Sequence, residues 1–285
     1  MLLSQTLPTT QMQENNQKSL TVNKDNYYSL DTSFKYQSAT WFKKFLTCEA
    51  EAMAELQGKW TPRGDPTALL VGNYLHSYFE SKQAHESFIK GHPEMFSTRG
   101  SSKGQLKAPY KQADAMIATL EADENVQRLY QGEKEEILTG DLFGVEWMGK
   151  LDCFDSTKSF FLDLKTTQSL HKKYWKPGER QPTSFVDAYN YQLQMAVYQE
   201  LIYQNYGTRP RAFIIAVTKE DVPDHAVIEV PQYRMDEALE EIHDSTEHVE
   251  AVKSGQVRPH RCEACEYCKA TKRVATIISM DELVE

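Results

Sequence analysis

The sequence predicts a mixed α/β domain, a central sheet flanked by helices. Three observations lead there. Residues 38–58 and 67–88 carry apolar side chains at helical spacing. Residues 135–167 change to strand-like alternation, with turns expected at 140–143 and 155–158. A long helical stretch, 185–207, then leads into two further strand-like runs, RAFIIAVTKE and HAVIEV. Helices, a strand meander, a helix and more strands fit one layered domain.

The remaining elements follow the same signals. Ser38 is placed to cap the first helix and Gly58 to end it. Residues 91–110, with Gly, Ser, Pro and Lys, read as a loop. A helix is expected over 111–121 with a short one after it, and another over about 235–254. Gly207 is placed to terminate the 185–207 helix. The first 26 residues, rich in Gln, Asn, Thr and Ser, predict a flexible arm, which leaves 27–285 as the domain.

Bulk properties narrow the function. The chain has 285 residues, 40% apolar and 26% charged, an ordinary globular composition. A net charge of −9 argues against a protein that coats nucleic acid, though not against a local basic groove. No apolar run approaches the roughly 18–20 residues that span a bilayer. The N-terminus has neither the basic flank nor the apolar core of a signal peptide, so a cytoplasmic protein without a membrane partner is expected.

The chemistry concentrates in GKLDCF and FFLDLKTT. Asp163 and Lys165 lie two apart on one strand and share a face, while Leu162 and Leu164 point into a core. A turn at 155–158 makes a hairpin that brings Asp152 beside Asp163. Alone, a D-x-K pair is an ordinary strand ion pair. Two carboxylates and an ammonium at one sheet end are costly unless a cation joins them. Mg²⁺ or Mn²⁺ suits such oxygen ligands, and can acidify a water and offset phosphate charge. Lys165 can orient that water or stabilise the phosphorus centre.

These motifs resemble the PD-(D/E)xK nucleases of the RecB type. GNYLH, with Gly72 and His76, resembles that family's upstream histidine motif. QMAVY, with Gln194 and Tyr198 one turn apart, resembles its Q-x-x-x-Y motif. The resemblance covers roughly residues 68–200 and implies a single restriction-endonuclease-like domain, with a catalytic core over about 68–230. It implies Asp152, Asp163 and Lys165 as catalytic, and His76, Asp152, Asp163 and the Leu164 carbonyl as metal ligands. It also implies Gln194 and Tyr198 near the DNA. Glu80, one turn beyond His76, is a spare ligand candidate. FKKFLTCEAEAMAELQG and CEACEYCKATKR are similar to phage exonucleases related to exodeoxyribonuclease VIII. That likeness implies digestion of linear duplex DNA from its ends, in phage-type recombination within a bacterial host. It also implies a single-strand annealing partner and a ring-like homo-oligomer.

Cys262, Cys265 and Cys268 form C-x₂-C-x₂-C within the tail at 260–273, spacing that can wrap a metal. Cys48 is the candidate fourth ligand. In RecB-type relatives four such cysteines hold a 4Fe–4S cluster that staples the domain ends. Zinc, with His260 as a substitute ligand, is the alternative. Cys153 reads as a small buried residue.

Two basic stretches could meet DNA. His171, Lys172, Lys173, Lys176 and Arg180 surround Tyr174 and Trp175, mixing phosphate-binding cations with stacking rings. Arg99, Lys103, Lys107 and Lys111 form a second group. The expectation is therefore a metal-dependent DNA exonuclease acting on duplex ends or single strands. The alternatives are a non-catalytic DNA-binding protein that keeps the fold, a structure-specific endonuclease, and a zinc-ribbon regulator, which leaves the carboxylates unexplained.

Overall fold

A computed structural model describes residues 20–175, 180–274, 277, 279 and 280. The helices before the sheet are α1 (Leu30–Lys35), α2 (Ala39–Thr47), α3 (Glu49–Leu56), α4 (Thr67–Glu80), α5 (Lys82–Gly91), α6 (Ala108–Ala122) and α7 (Glu124–Leu129). Strands β1 (Glu133–Leu142), β2 (Val145–Phe154) and β3 (Phe160–Thr167) follow. After α8 (Phe185–Ala188) and α9 (Tyr191–Tyr206) come β4 (Arg211–Thr218) and β5 (His225–Val230). Helices α10 (Gln232–Lys253) and α11 (Glu266–Ala270) close the described chain.

The five strands lie in sequence order in one sheet. Only β3 and β4 are parallel, because the α8–α9 crossover carries the chain back before β4 begins. Helices α9 and α10 cover one face, where Leu193, Leu201 and Ile242 pack with Phe161 and Ile214. Helices α4 and α6 cover the other, where Leu75 and Met116 pack with Leu162 and Leu164. Each buried Leu contributes about 1.5–3 kcal/mol. Burial of Leu162 and Leu164 therefore anchors β3 in the register that turns Asp163 and Lys165 the other way.

Three expected helices are each broken in two, and none of the breaks is at Gly or Pro. The first breaks at Cys48, which is extended at φ −161° and leaves the helix axis to join the other cysteines. The second breaks at Ser81, whose side chain accepts from the Ala84 N–H at 3.1 Å and starts a new helix. The third breaks at Asn190, which adopts a left-handed backbone at φ 50°. Gly207 ends α9 in the left-handed conformation, as its position predicts.

The first hairpin turn falls at Phe143–Gly144 rather than 140–143, and Gly140 lies inside β1. Gly140 and Gly149 serve packing instead. A Cβ on Gly140 would meet Leu201 Cδ2 at 3.0 Å, and one on Gly149 would meet Tyr198 Cδ1 at 3.0 Å. Missing side chains at both positions let α9 lie close against β1 and β2. Within the segment expected to be an arm, Lys24 pairs with Glu80 at 2.8 Å and the Leu20 carbonyl accepts from the Tyr36 hydroxyl at 3.0 Å. Among the described residues no helix is long and apolar enough to cross a membrane.

Candidate metal centre

The β2–β3 ladder pairs Phe154 with Phe161 and Cys153 with Leu162, and no pair is formed beyond these. Continuing the register sets Asp152 opposite Asp163. There the strands part, and the Asp152 carboxylate takes the place of a backbone partner. Its Oδ2 accepts from the Leu164 N–H at 2.7 Å. Its Oδ1 lies 3.3 Å from His76 Nδ1 on α4. Asp163 is 1% exposed; its Oδ1 accepts from Gln194 Nε2 at 2.9 Å and its Oδ2 pairs with Lys165.

Sequence reasoning missed Glu135. Lys134 pairs with Cys153 and Glu136 with Leu151, so Glu135 stands opposite Asp152 at a gap in the ladder. Its backbone is left-handed, at φ 55°, and its side chain is buried. Carboxylates from β1, β2 and β3 thus lie abreast. Atoms of Glu135, Asp152 and His76 lie within 4.8 Å of one another, close enough to share a metal ion. Lys150 pairs with Glu135 from β2 and approaches the ring of Tyr28, 4.9 Å from its centroid.

The charges are strongly shifted. Burial pushes the Asp163 carboxyl up, and the charge of Asp152 adds to this despite Lys165. Burial and Asp152 likewise raise Glu135 against the pull of Lys150. Burial would lower His76, but the charge and hydrogen bond of Asp152 outweigh it and raise the imidazole. For Asp152 burial is overcome by His76, Lys165 and the Leu164 N–H, which together hold it at about 2.

Gln194 Nε2 also donates to the Tyr198 hydroxyl at 2.9 Å, and Tyr198 is buried. The pair therefore buttresses Asp163 rather than lying on an open surface. Glu80 is occupied by Lys24. Lys172 and Lys173 are exposed, with Lys172 5.2 Å from the Tyr174 ring centroid, whereas Lys176 lies outside the described residues.

A second cluster joins the α2–α3 junction to the segment around α11. Cys48 Sγ lies 3.6 Å from Cys268 Sγ and 3.7 Å from Cys265 Sγ, and Cys262 Sγ is 4.0 Å from Cys268 Sγ. These separations exceed a disulfide bond and suit thiolates around a metal. Backbone N–H groups of Cys265 and Cys268 donate to Cys262 and Cys265, each at 3.3 Å. The N–H of Ala264, first among its neighbours, draws the Cys262 thiol down to about 6. His260 is not drawn into this group; its N–H instead donates to Glu49 at 2.7 Å and ties the tail to α3. Cys153 is buried in the α4–α6 face, as expected, and accepts from Lys134 Nζ at 2.9 Å.

With this geometry in view, comparison with known proteins places the chain. Residues 38–271 match the model of a PDDEXK-like domain of unknown function (DUF3799). The chain belongs to this family. A Eubacterium rectale protein, whose crystal structure carries a provisional exonuclease assignment, is 35% identical. It superposes with a TM-score of 0.85 over 93% of this chain and 98% of its own. A second structure, SSO0001, is 13% identical over 73% of this chain and 95% of its own. Its TM-score of 0.29 carries no argument. A search among curated proteins finds no match.

The site's charges have a consequence for stability. The carboxyls of Glu135 and Asp163 are raised above an unfolded value of about 4, so they support the fold below about pH 4 and cease to as pH rises. The raised His76 acts in the same direction, its contribution lost as pH rises beyond about 6.5. Asp152 runs oppositely: its contribution is present above about 4 and lost toward about 2. Without metal, three of these four groups weaken the fold as pH rises. A divalent cation reverses this, since it competes with protons for the same atoms. Mn²⁺ should therefore raise Tm more in mildly alkaline than in mildly acidic buffer, and Asp152→Asn should remove the difference. Equal shifts at both pH values would contradict the reading.

Proposed function

We propose that the protein is a divalent-metal-dependent deoxyribonuclease that hydrolyses phosphodiester bonds from the ends of linear duplex DNA. The observation that carries this is the convergence of His76, Glu135 and Asp152 within 4.8 Å, with Asp163 and Lys165 on the adjoining strand. So much buried negative charge calls for a cation. His76, Glu135, Asp152, Asp163 and the Leu164 carbonyl would hold Mg²⁺ or Mn²⁺. The ion would supply Lewis-acid stabilisation of the phosphate and a more acidic water. Lys165, kept protonated against burial by Asp163 and Asp152, would orient that water and meet developing charge on phosphorus. Gln194 and Tyr198 would hold Asp163 in place beneath the DNA.

Action from ends is supported by the Eubacterium rectale relative, provisionally an exonuclease, which matches nearly the whole chain. The setting would be phage-type recombination in the bacterial cytoplasm, with the surviving strand passed to an annealing protein and the enzyme working as a ring-like homo-oligomer. The test is digestion of end-labelled linear and closed circular duplexes with Mg²⁺ or Mn²⁺. Linear DNA should be consumed and circular DNA spared. Asp163→Asn should cut the rate at least about 1000-fold while DNA binding persists. Full activity in that variant would remove the assignment, and cleavage of circular DNA would point to an endonuclease.

We also propose that the four cysteines hold a structural metal that staples the tail to the α2–α3 junction. A tetrahedral ion with metal–sulfur bonds of about 2.3 Å sets thiolates about 3.8 Å apart. The 3.6–4.0 Å separations match that figure. A 4Fe–4S cube, which the family resemblance favours, interposes irons and sulfides and spreads its thiolates further than the 4.8 Å enclosing all four here. The spacing thus supports zinc. Metal analysis should find one zinc per chain, and Cys268→Ser should release it and lower Tm. A brown protein containing iron and acid-labile sulfide would instead restore the cube.

A further inference from the structure

A groove of about 900 Å³ opens between α2 and the α8–α9 corner. Lys43 of α2 and Tyr189, Asn190 and Tyr191 of the corner line it. It adjoins the metal centre through a single ring. Lys43 Nζ lies 5.2 Å from the Tyr191 ring centroid, and Lys165 Nζ lies 5.0 Å from the same centroid. From Tyr191 the aromatic series continues outward. Tyr189 is 5.8 Å away at 34°, and Tyr174 is 5.6 Å beyond it. Lys172 approaches Tyr174 at the far end.

Cation–π pairs can be purely structural. Two features point to a ligand instead. The Lys43 ammonium donates to the Tyr189 carbonyl at 3.2 Å, yet no carboxylate of the described residues pairs with it. Burial first, then the nearby charge of Lys165, draws it down to about 8 against the weaker pull of Asp163. Asn190 carries the second feature: its Oδ1 is buried with no hydrogen-bond partner among the described residues. Tyr189, by contrast, is 51% exposed.

We propose that this groove receives the nucleotide next to the scissile phosphate on the cleaved strand, with its backbone phosphate on Lys43 and its base on Tyr189. Tyr174 and Lys172 extend the track to the following nucleotide. The substrate at the metal centre is then a frayed, single-stranded end rather than paired duplex. Lys44, which also lines the groove, is neutralised by Glu55. Glu51 and Glu241 line it as well, and their charge limits it to one phosphate rather than a run. Aromatic rings interleaved with cations suit a single strand of any sequence, since every base has a stacking face. This inference rests on the nuclease reading and names the form of DNA that the site takes.

The test uses the full chain with Ca²⁺ in place of Mg²⁺ and a short oligothymidylate carrying one 2-aminopurine near its end. Binding should quench the 2-aminopurine. Tyr189→Ala should abolish most of the quenching and weaken binding about tenfold. Because Tyr189 is half exposed, its loss should leave the fold intact. Lys43→Gln should lower the slope of log affinity against log salt by about 0.7, the loss of one phosphate contact on a single strand. Unchanged quenching, affinity and salt slope in both variants would overturn the groove. If the wild type meanwhile digests linear DNA, the nuclease reading survives that result. A wild type inert toward all DNA with Mg²⁺ and Mn²⁺ overturns the nuclease reading itself.

Discussion

Carboxylates buried side by side repel one another, and Glu135, Asp152 and Asp163 occupy adjacent positions on three neighbouring strands. Much of the surrounding structure compensates for that arrangement. Lys150 pairs with Glu135, His76 and the Leu164 N–H with Asp152, and Lys165 and Gln194 with Asp163. The compensation is incomplete, since Glu135 and Asp163 remain shifted toward their protonated forms. A cation would complete it, which explains why the arrangement can persist in a folded protein.

The fold supplies the rigidity this requires. Leu162 and Leu164 on the α4–α6 side and Phe161 on the α9 side hold β3 from both faces. Gly140 and Gly149 allow α9 to approach, so that Gln194 reaches Asp163 and Tyr198 supports Gln194. The cysteine group ties residues 220 apart in the chain, Cys48 and Cys268. It thereby fixes α2, the helix that carries Lys43, relative to the tail.

Much of this was legible in the sequence because it is local. Alternation around Asp163 and Lys165 and the turn after Asp152 describe one hairpin, and His76 sits in a helix whose apolar spacing is plain. Glu135 was not legible, because it lies in the run Glu133, Lys134, Glu135, Glu136, where any carboxylate could be solvated. What distinguishes it is a left-handed backbone and its place opposite Asp152, both products of the folded sheet. The helix breaks at Cys48, Ser81 and Asn190 were hidden for a similar reason. None is a strong breaker, and at Cys48 and Asn190 the interruption serves the cysteine group and the groove. Gly140 misled in the opposite sense, since a glycine that makes room for a helix looks like one that makes a turn. The Lys43–Tyr191–Tyr189 juxtaposition joins segments far apart in the chain, beyond the reach of any local pattern.

Everything at this site turns on whether the carboxylate row binds a divalent cation. Crystals soaked in Mn²⁺ and measured for anomalous scattering test it most directly. A bound ion should give a peak within ligand distance of His76, Glu135 and Asp152, absent in Asp152→Asn crystals. An empty row in fully soaked crystals, or a peak that survives Asp152→Asn, would contradict it.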